Sequence, residues 1–293
     1  MKIAVIGVGL IGGSIGLALR GKIFHGKKIK VVGIGRKPVR LALAKKLGAV
    51  DEFTTDIKNG VRAADVIFIA APVKTIPQIF QTILPYCKPG AIITDVGSTK
   101  SEISGQCGKI LSRFKKKAKS YGPFFVGSHP IAGGEKTSVI HSKSDMFRGA
   151  ATVITPLSST TPASVIGTIK KLWSATGSKV YILKPAEHDS ILARTSHLPH
   201  IAAYALVNSI IPSKDKNFTG PGWRDTTRIA SSDPFMWAEI ITSNKAAIRR
   251  ELARFKKNLS AIEKVLSDDK SLAKILSRAR DIRDSIHQAS TAK

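Results

Sequence analysis

Through its first half the chain alternates short, nearly continuous apolar runs with segments of helical period. The runs are residues 2–7 (KIAVIG), 29–35 (IKVVGIG), 64–72 (ADVIFIAAP), 91–97 (AIITDVG), 123–127 (PFFVG) and 151–156 (ATVITP). Strands buried on both faces read this way, because neither face is left to water. Between them, residues 11–20, 39–47 and 76–84 gather their apolar side chains on one helical face. This alternation predicts an α/β fold with a doubly wound parallel sheet. The sheet pattern stops at Pro156, and the polar stretch 157–162 (LSSTTP) reads as a linker or helix entry. Two domains are expected, 1–157 and 158–293.

The second half is mostly helical in pattern. A helix entered at Thr161-Pro162 carries Val165, Ile169, Leu172 and Trp173 on one face and stops at Gly177. Residues 180–183 (VYIL) suit a short strand. A long helical pattern over 185–211 contains Pro199, which should kink it and free backbone groups nearby. Residues 213–227, rich in Gly, Pro, Asp and Lys, read as a loop. Asp233-Pro234 supplies an N-cap with proline at the first helical position. The helix it opens bears Ile241, Ile248, Leu252, Phe255, Leu259, Ile262 and Leu266, a heptad-like seam that predicts a homodimer.

Gly7-Val8-Gly9-Leu10-Ile11-Gly12 follows the first strand and opens the first helix. The first glycine permits a tight turn, the second lets backbone approach a pyrophosphate, and the third lets helix and strand pack closely. The helix N-terminus then faces the phosphate charge. This marks a Rossmann-type dinucleotide-binding domain, with Gly7, Gly9, Leu10, Ile11, Gly12 and Pro72 on the cofactor side. An NAD-specific fold ends its second strand with Asp or Glu, for the ribose 2′-hydroxyl. Here Gly35 holds that place and Arg36 and Lys37 follow. A guanidinium can clasp a 2′-phosphate bidentately, so NADP is favoured over NAD.

Composition narrows the reading. The 293 residues are compatible with two domains, and no apolar run reaches the roughly 18 residues needed to span a bilayer. The first residues read as a strand, not a secretory signal. The two cysteines, Cys87 and Cys107, lack metal-type spacing and suit a reduced, cytoplasmic setting. The net charge of +27 is spread along the chain, with a local cluster over 113–119. Such a field draws anionic ligands. No aromatic-interleaved basic groove or zinc spacing accompanies it, which disfavours nucleic acid as partner. No metal is expected.

The most informative stretch is Gly127-Ser128-His129-Pro130-Ile131-Ala132-Gly133-Gly134-Glu135. It sets a histidine directly after the apolar run Phe124-Phe125-Val126, where a strand end fixes an imidazole at the mouth of the sheet as a general base. Alongside it stand Asp95-Val96-Gly97-Ser98-Thr99-Lys100, Ser196-His197-Leu198-Pro199-His200, Asp225-Thr226-Thr227-Arg228-Ile229-Ala230 and Ser232-Asp233-Pro234-Phe235-Met236-Trp237. Together with the glycine turn, and in this order, they resemble the prephenate/arogenate dehydrogenase family of tyrosine biosynthesis over nearly the whole chain.

The resemblance implies an N-terminal Rossmann-type domain and an all-helical, dimerising C-terminal domain. It implies oxidative decarboxylation of prephenate to 4-hydroxyphenylpyruvate, with hydride transfer to NAD(P), by a dehydrogenase standing alone. By the same resemblance His129 accepts a hydrogen bond from the substrate hydroxyl and Ser98 helps to orient that pair. Arg228 binds the ring carboxylate, His200 meets the pyruvyl side chain, Ser196 and His197 line the substrate, and Asp225 orients Arg228 through an ion pair. The second histidine of Ser-His-Leu-Pro-His favours prephenate, whereas NADP use leans toward arogenate as the alternative. Another two-domain dehydrogenase, or a nucleotide-sensing or nucleic-acid-binding protein on the same fold, would not account for these motifs together.

Overall fold

A computed structural model describes residues 1–118, 122–134, 136–157 and 161–291. Lys119, Glu135 and the centre of the expected linker (158–160) lie outside the described residues. The chain divides into two compact units, Met1–Lys245 and Ala246–Lys293.

The first unit is built on an eight-stranded sheet. Its strands are β1 (Lys2–Ile6), β2 (Lys30–Ile34), β3 (Glu52–Thr54), β4 (Val66–Ile69), β5 (Ile92–Asp95), β6 (Phe124–Pro130), β7 (Ala151–Pro156) and β8 (Lys179–Ile182). They lie in the order β8-β7-β6-β5-β4-β1-β2-β3. Along β1, Ile3 and Val5 enter one apolar cluster and Ala4 and Ile6 the other, so the strand is buried on both faces. The helices α1 (Leu10–Leu19), α2 (Pro38–Lys46), α3 (Ile57–Arg62), α4 (Ile76–Ile83), α5 (Ser101–Ala118) and α6 (Ala163–Ala175) cover these faces. The apolar alternation thus gives the doubly wound α/β fold that it predicts.

Three features differ from expectation. The sheet is not wholly parallel, because β7 runs antiparallel to β6. Among its described residues the connection between them holds a short 3₁₀ turn, Val139–His141, in place of the crossover helix that a parallel return requires. Nor does the sheet end at Pro156, since β8 pairs in parallel with β7 beyond the 157/158 boundary. Finally, β3 (Glu-Phe-Thr) is a polar edge strand that carries no apolar run.

The long pattern after β8 is broken as Pro199 requires. Helix α7 (Pro185–Leu192) passes through a π-type turn, Ala193–His197, into α8 (Leu198–Val207). The stretch 213–227 is not a loop. It holds short helical turns and α9 (Pro221–Thr227), started by Pro221 at the first helical position after Gly220. Helix α10 (Pro234–Ser243) is capped by Asp233, whose carboxylate accepts from the Met236 N–H. The expected seam is not one helix, for α10 ends at Asn244 and α11 (Lys245–Glu263) begins after it. Asn244 is buried with its amide committed to other groups, which removes Ile241 from the heptad line.

The second unit contains the rest of α11 and α12 (Asp269–Thr291). Leu252, Phe255 and Ile262 are half-buried, while Leu259, Leu266, Leu276 and Ile282 are exposed. No helix among the described residues is long and apolar enough to cross a membrane.

Candidate active site

The dinucleotide end follows the glycine logic closely. Gly7 has φ +90°, and a Cβ there would collide with the Ala70 carbonyl. A Cβ on Gly12 would collide with the Gly7 carbonyl, so helix and strand touch through backbone. Gly9 faces open space and no side chain caps α1, whose first turn holds no acid. Leu10 and Ile11 are the first, half-buried residues of that helix. Bare N–H groups and an uncompensated helix dipole are thereby offered to an anion, as a dinucleotide pyrophosphate requires. Arg36 and Lys37 are exposed just past β2, and Pro72 is exposed just past β4. All stand at the carboxyl ends of the strands, where doubly wound folds bind ligands.

His129 lies on the same edge, but inside a strand and not after one. Strand β6 pairs with β5 only through Phe124 and Phe125, then with β7 over Val126–Pro130. Asp95, the last residue of β5, fills the gap between them. Its carboxylate accepts from the Ser128 N–H (3.2 Å) and the Gly97 N–H (2.9 Å) and pairs with the Lys100 ammonium. The Ser128 hydroxyl returns a hydrogen bond to the Asp95 carbonyl at 2.6 Å. Gly127 leaves room for this knot, since a Cβ there would stand 2.5 Å from Thr155 Oγ1 and 3.4 Å from Asp95 Oδ1.

The imidazole of His129 is 8% exposed, and its Nδ1 is 2.8 Å from Nε2 of His188 on α7. His188 Nδ1 is in turn 2.9 Å from Asp189 Oδ1. The Asp189 carboxylate also accepts the backbone N–H groups of Lys100 (2.8 Å) and Ser101 (2.9 Å), where α5 begins. Asn244 donates to the Asp189 carbonyl at 2.8 Å and reaches His197 Nδ1 at 3.1 Å. No hydrogen bond joins Ser98 to His129. Ser98 is half-buried on the loop after β5, and the His129 Nδ1 is turned toward α7 instead.

Electrostatics keep these imidazoles neutral. Burial pushes His129 well below the ordinary histidine range, and the nearby His188, Lys100 and His197 push the same way. Burial also lowers His188, against the opposing hydrogen bond to Asp189. His197 falls to about 4, again chiefly through burial. For Asp189, burial acts to raise the pKa, but hydrogen bonds from His188, Ser101 and Lys100 outweigh it and hold the carboxyl below its usual value. Despite this density of imidazole and carboxylate, no group of three metal-type ligands converges among the described residues.

The remaining expected residues gather around His200. This ring stacks on Trp237, with centroids 3.5 Å apart and planes 22° apart, and its Nδ1 is 2.9 Å from the Ser196 carbonyl. Burial lowers its pKa, the hydrogen bond with the Ser196 carbonyl opposes this, and the Arg228 guanidinium lowers it further. Arg228 is exposed and opens the 3₁₀ turn Arg228–Ser231. Asp225 is exposed on α9, three residues before Arg228. The two straddle the junction between α9 and the 3₁₀ turn. His197 is 1% exposed, edge-on to Trp237 and within 3.1 Å of the Asn244 amide. His188, Asp189, Lys100 and Asn244 were not evident from sequence as site residues. The only sign was the adjacent His-Asp pair just inside a helix start at Pro185.

The fold and site define a two-part dinucleotide-binding dehydrogenase with a buried histidine at the sheet's carboxyl edge. Family models agree. Residues 15–182 match the prephenate dehydrogenase nucleotide-binding domain, and residues 184–278 match the prephenate dehydrogenase dimerization domain. The chain belongs to the prephenate dehydrogenase family. It is 34% identical to a prephenate dehydrogenase of Bacillus subtilis, over 97% of this chain and 76% of that protein. It superposes on a prephenate dehydrogenase of Aquifex aeolicus, solved with hydroxyphenyl propionate and NAD+, with a TM-score of 0.86 and 30% identity. That match covers 98% of each chain. A Synechocystis arogenate dehydrogenase matches with a TM-score of 0.81 and 26% identity, over 98% of this chain and all of that one.

Proposed function

We propose that this protein oxidises and decarboxylates prephenate to 4-hydroxyphenylpyruvate in tyrosine biosynthesis, with NADP as the preferred cofactor. The single observation that carries the reading is the buried His129 at the carboxyl edge of a sheet whose first turn is shaped for a dinucleotide. The bound nicotinamide supplies the hydride acceptor for the hydroxyl-bearing ring carbon. His129 takes the hydroxyl proton as that carbon becomes a carbonyl. Ser98 is assigned to the same hydroxyl as a second polar partner. Loss of the ring carboxylate as CO2 leaves its bonding electrons in the ring, which becomes aromatic.

Arg228 is assigned to the ring carboxylate, where a planar fork suits two oxygens. His200, fixed by Trp237 and the Ser196 carbonyl, is assigned to the substrate side chain. Arg36 and Lys37 are assigned to the 2′-phosphate, because Gly35 leaves no carboxylate to repel it. A Cβ at residue 35 would also stand 3.3 Å from Leu41 Cδ2, so a larger side chain there meets a packed neighbour. The helical C-terminal part joins two copies in a homodimer, supported by the match to a dimerization domain and by exposed apolar residues such as Leu259 and Leu266. The test is a two-by-two assay of NADH or NADPH formation with prephenate and with arogenate. Prephenate with NADP is expected to give the highest kcat/KM, and a clear preference for arogenate would replace prephenate as the substrate.

A further inference from the structure

We propose that His188 is a positioning residue that fixes which nitrogen of His129 carries the proton, so that His129 Nε2 meets the substrate as a bare lone pair. The inference rests on the reading of His129 as the base and extends it to a residue that touches no substrate.

The argument is one of donor and acceptor counting. An ionised carboxylate can only accept hydrogen bonds. The Asp189 carboxylate, 2.9 Å from His188 Nδ1, therefore requires a proton on that nitrogen. A neutral His188 then has a lone pair, and no proton, on Nε2. That lone pair faces His129 Nδ1 at 2.8 Å. Two lone pairs cannot face each other at this distance, so His129 Nδ1 is the donor. A neutral imidazole has one N–H, and with Nδ1 protonated its Nε2 is free to accept. When Nε2 takes a proton from the substrate hydroxyl, the resulting imidazolium already directs Nδ1–H into His188, which is backed by a carboxylate.

The chain is anchored beyond its last side chain. Asp189 receives the N–H groups of Lys100 and Ser101 at the start of α5, an 18-residue helix whose N-terminal dipole favours an anion. Asn244 holds the Asp189 carbonyl. The carboxylate thus has no freedom to turn from His188. All three rings or groups are buried, so water does not compete for these bonds.

The experiment combines nitrogen NMR with kinetics on the full-length protein. In wild type labelled with ¹⁵N-histidine, His129 should show a protonated Nδ1 and an unprotonated Nε2 at neutral pH. His188→Leu removes the acceptor. It should lower kcat roughly 10–10²-fold with little change in substrate KM or in NADP Kd, and the His129 tautomer should become mixed. His188→Gln can place an amide oxygen toward His129 Nδ1, and should recover a large part of the lost turnover and the tautomer. Protonation of His129 at Nε2 in wild type would overturn the proposal even if no variant folded. So would a His188→Leu enzyme with normal kcat, or a Gln variant as slow as the Leu variant with both folded. If His129→Ala retained normal turnover, the reading of His129 as base would fail instead, and that outcome is separable from the NMR result.

Discussion

Lys100 and Asp95 form an ion pair in which neither side chain is exposed to solvent. The carboxylate of that pair also holds the Ser128 N–H, one residue before His129, across the gap where β6 leaves β5. The pair therefore sets the strand that presents the histidine. Removing one partner leaves the other charged and buried, which costs about 3–5 kcal/mol. Lys100→Met should lower unfolding stability by that amount in a urea titration, and the double change Asp95→Asn, Lys100→Met should be milder. Equal stability of Lys100→Met and wild type would show that the pair is not needed to hold this edge.

The buried imidazoles make stability depend on pH with a definite sign. His129, His188 and His197 all have native pKa values below the ordinary histidine value of about 6.5. As pH falls through about 6.5, the unfolded chain takes up protons at these sites and the native protein does not. Stability is therefore full at neutral pH and declines on acidification. For His197 the window runs from about 6.5 down to about 4, a loss on the order of 3 kcal/mol. The melting temperature should fall steadily from pH 7 to pH 4.5, and a flat profile would contradict neutral burial of these rings.

The Arg228 guanidinium lowers the pKa of His200, whose ring stacks on Trp237. Lysine keeps the charge but not the planar fork. Arg228→Lys should raise KM for prephenate while leaving the Kd for NADP nearly unchanged. Arg228→Ala should weaken substrate binding by about 2–5 kcal/mol if the carboxylate is well desolvated. An unchanged KM with a lowered melting temperature would make Arg228 a structural residue.

Arg36 follows the second sheet strand and is exposed. Arg36→Asp should move preference from NADP toward NAD, with a loss for NADP of about 1.5–3 kcal/mol from one charge-assisted contact. Equal kcat/KM for both cofactors in wild type would remove the basis for this assignment.

Much of this arrangement was legible in the chain. The glycine turn could be read because Gly7, with its positive φ, and Gly12, packed against the Gly7 carbonyl, answer backbone constraints that no other residue meets cheaply. Pro199 could be read as a break because it lacks an N–H. His129 stood out because it follows an apolar run. The partners of His129 did not. His188 lies 59 residues further along, on a helix whose pattern marks it only as a helical position, and only the folded α7 brings it to β6. Asp189 and Asn244 are polar residues joined to His188 and His197 by buried hydrogen bonds, which periodicity does not report. The reversal of β7 was hidden for a related reason. A strand buried on both faces looks apolar in either direction, and only the missing crossover helix distinguishes them.

The most direct test is the turnover of His129→Ala with saturating prephenate and NADP, measured as NADPH formation beside wild type. The imidazole matters most as the hydroxyl becomes a carbonyl, so its loss should act on kcat far more than on binding. A fall of about 10²–10⁴-fold in kcat, with KM and the NADP Kd little changed, is expected. Turnover within a few-fold of wild type by a folded His129→Ala protein would contradict the assignment of this histidine as the base.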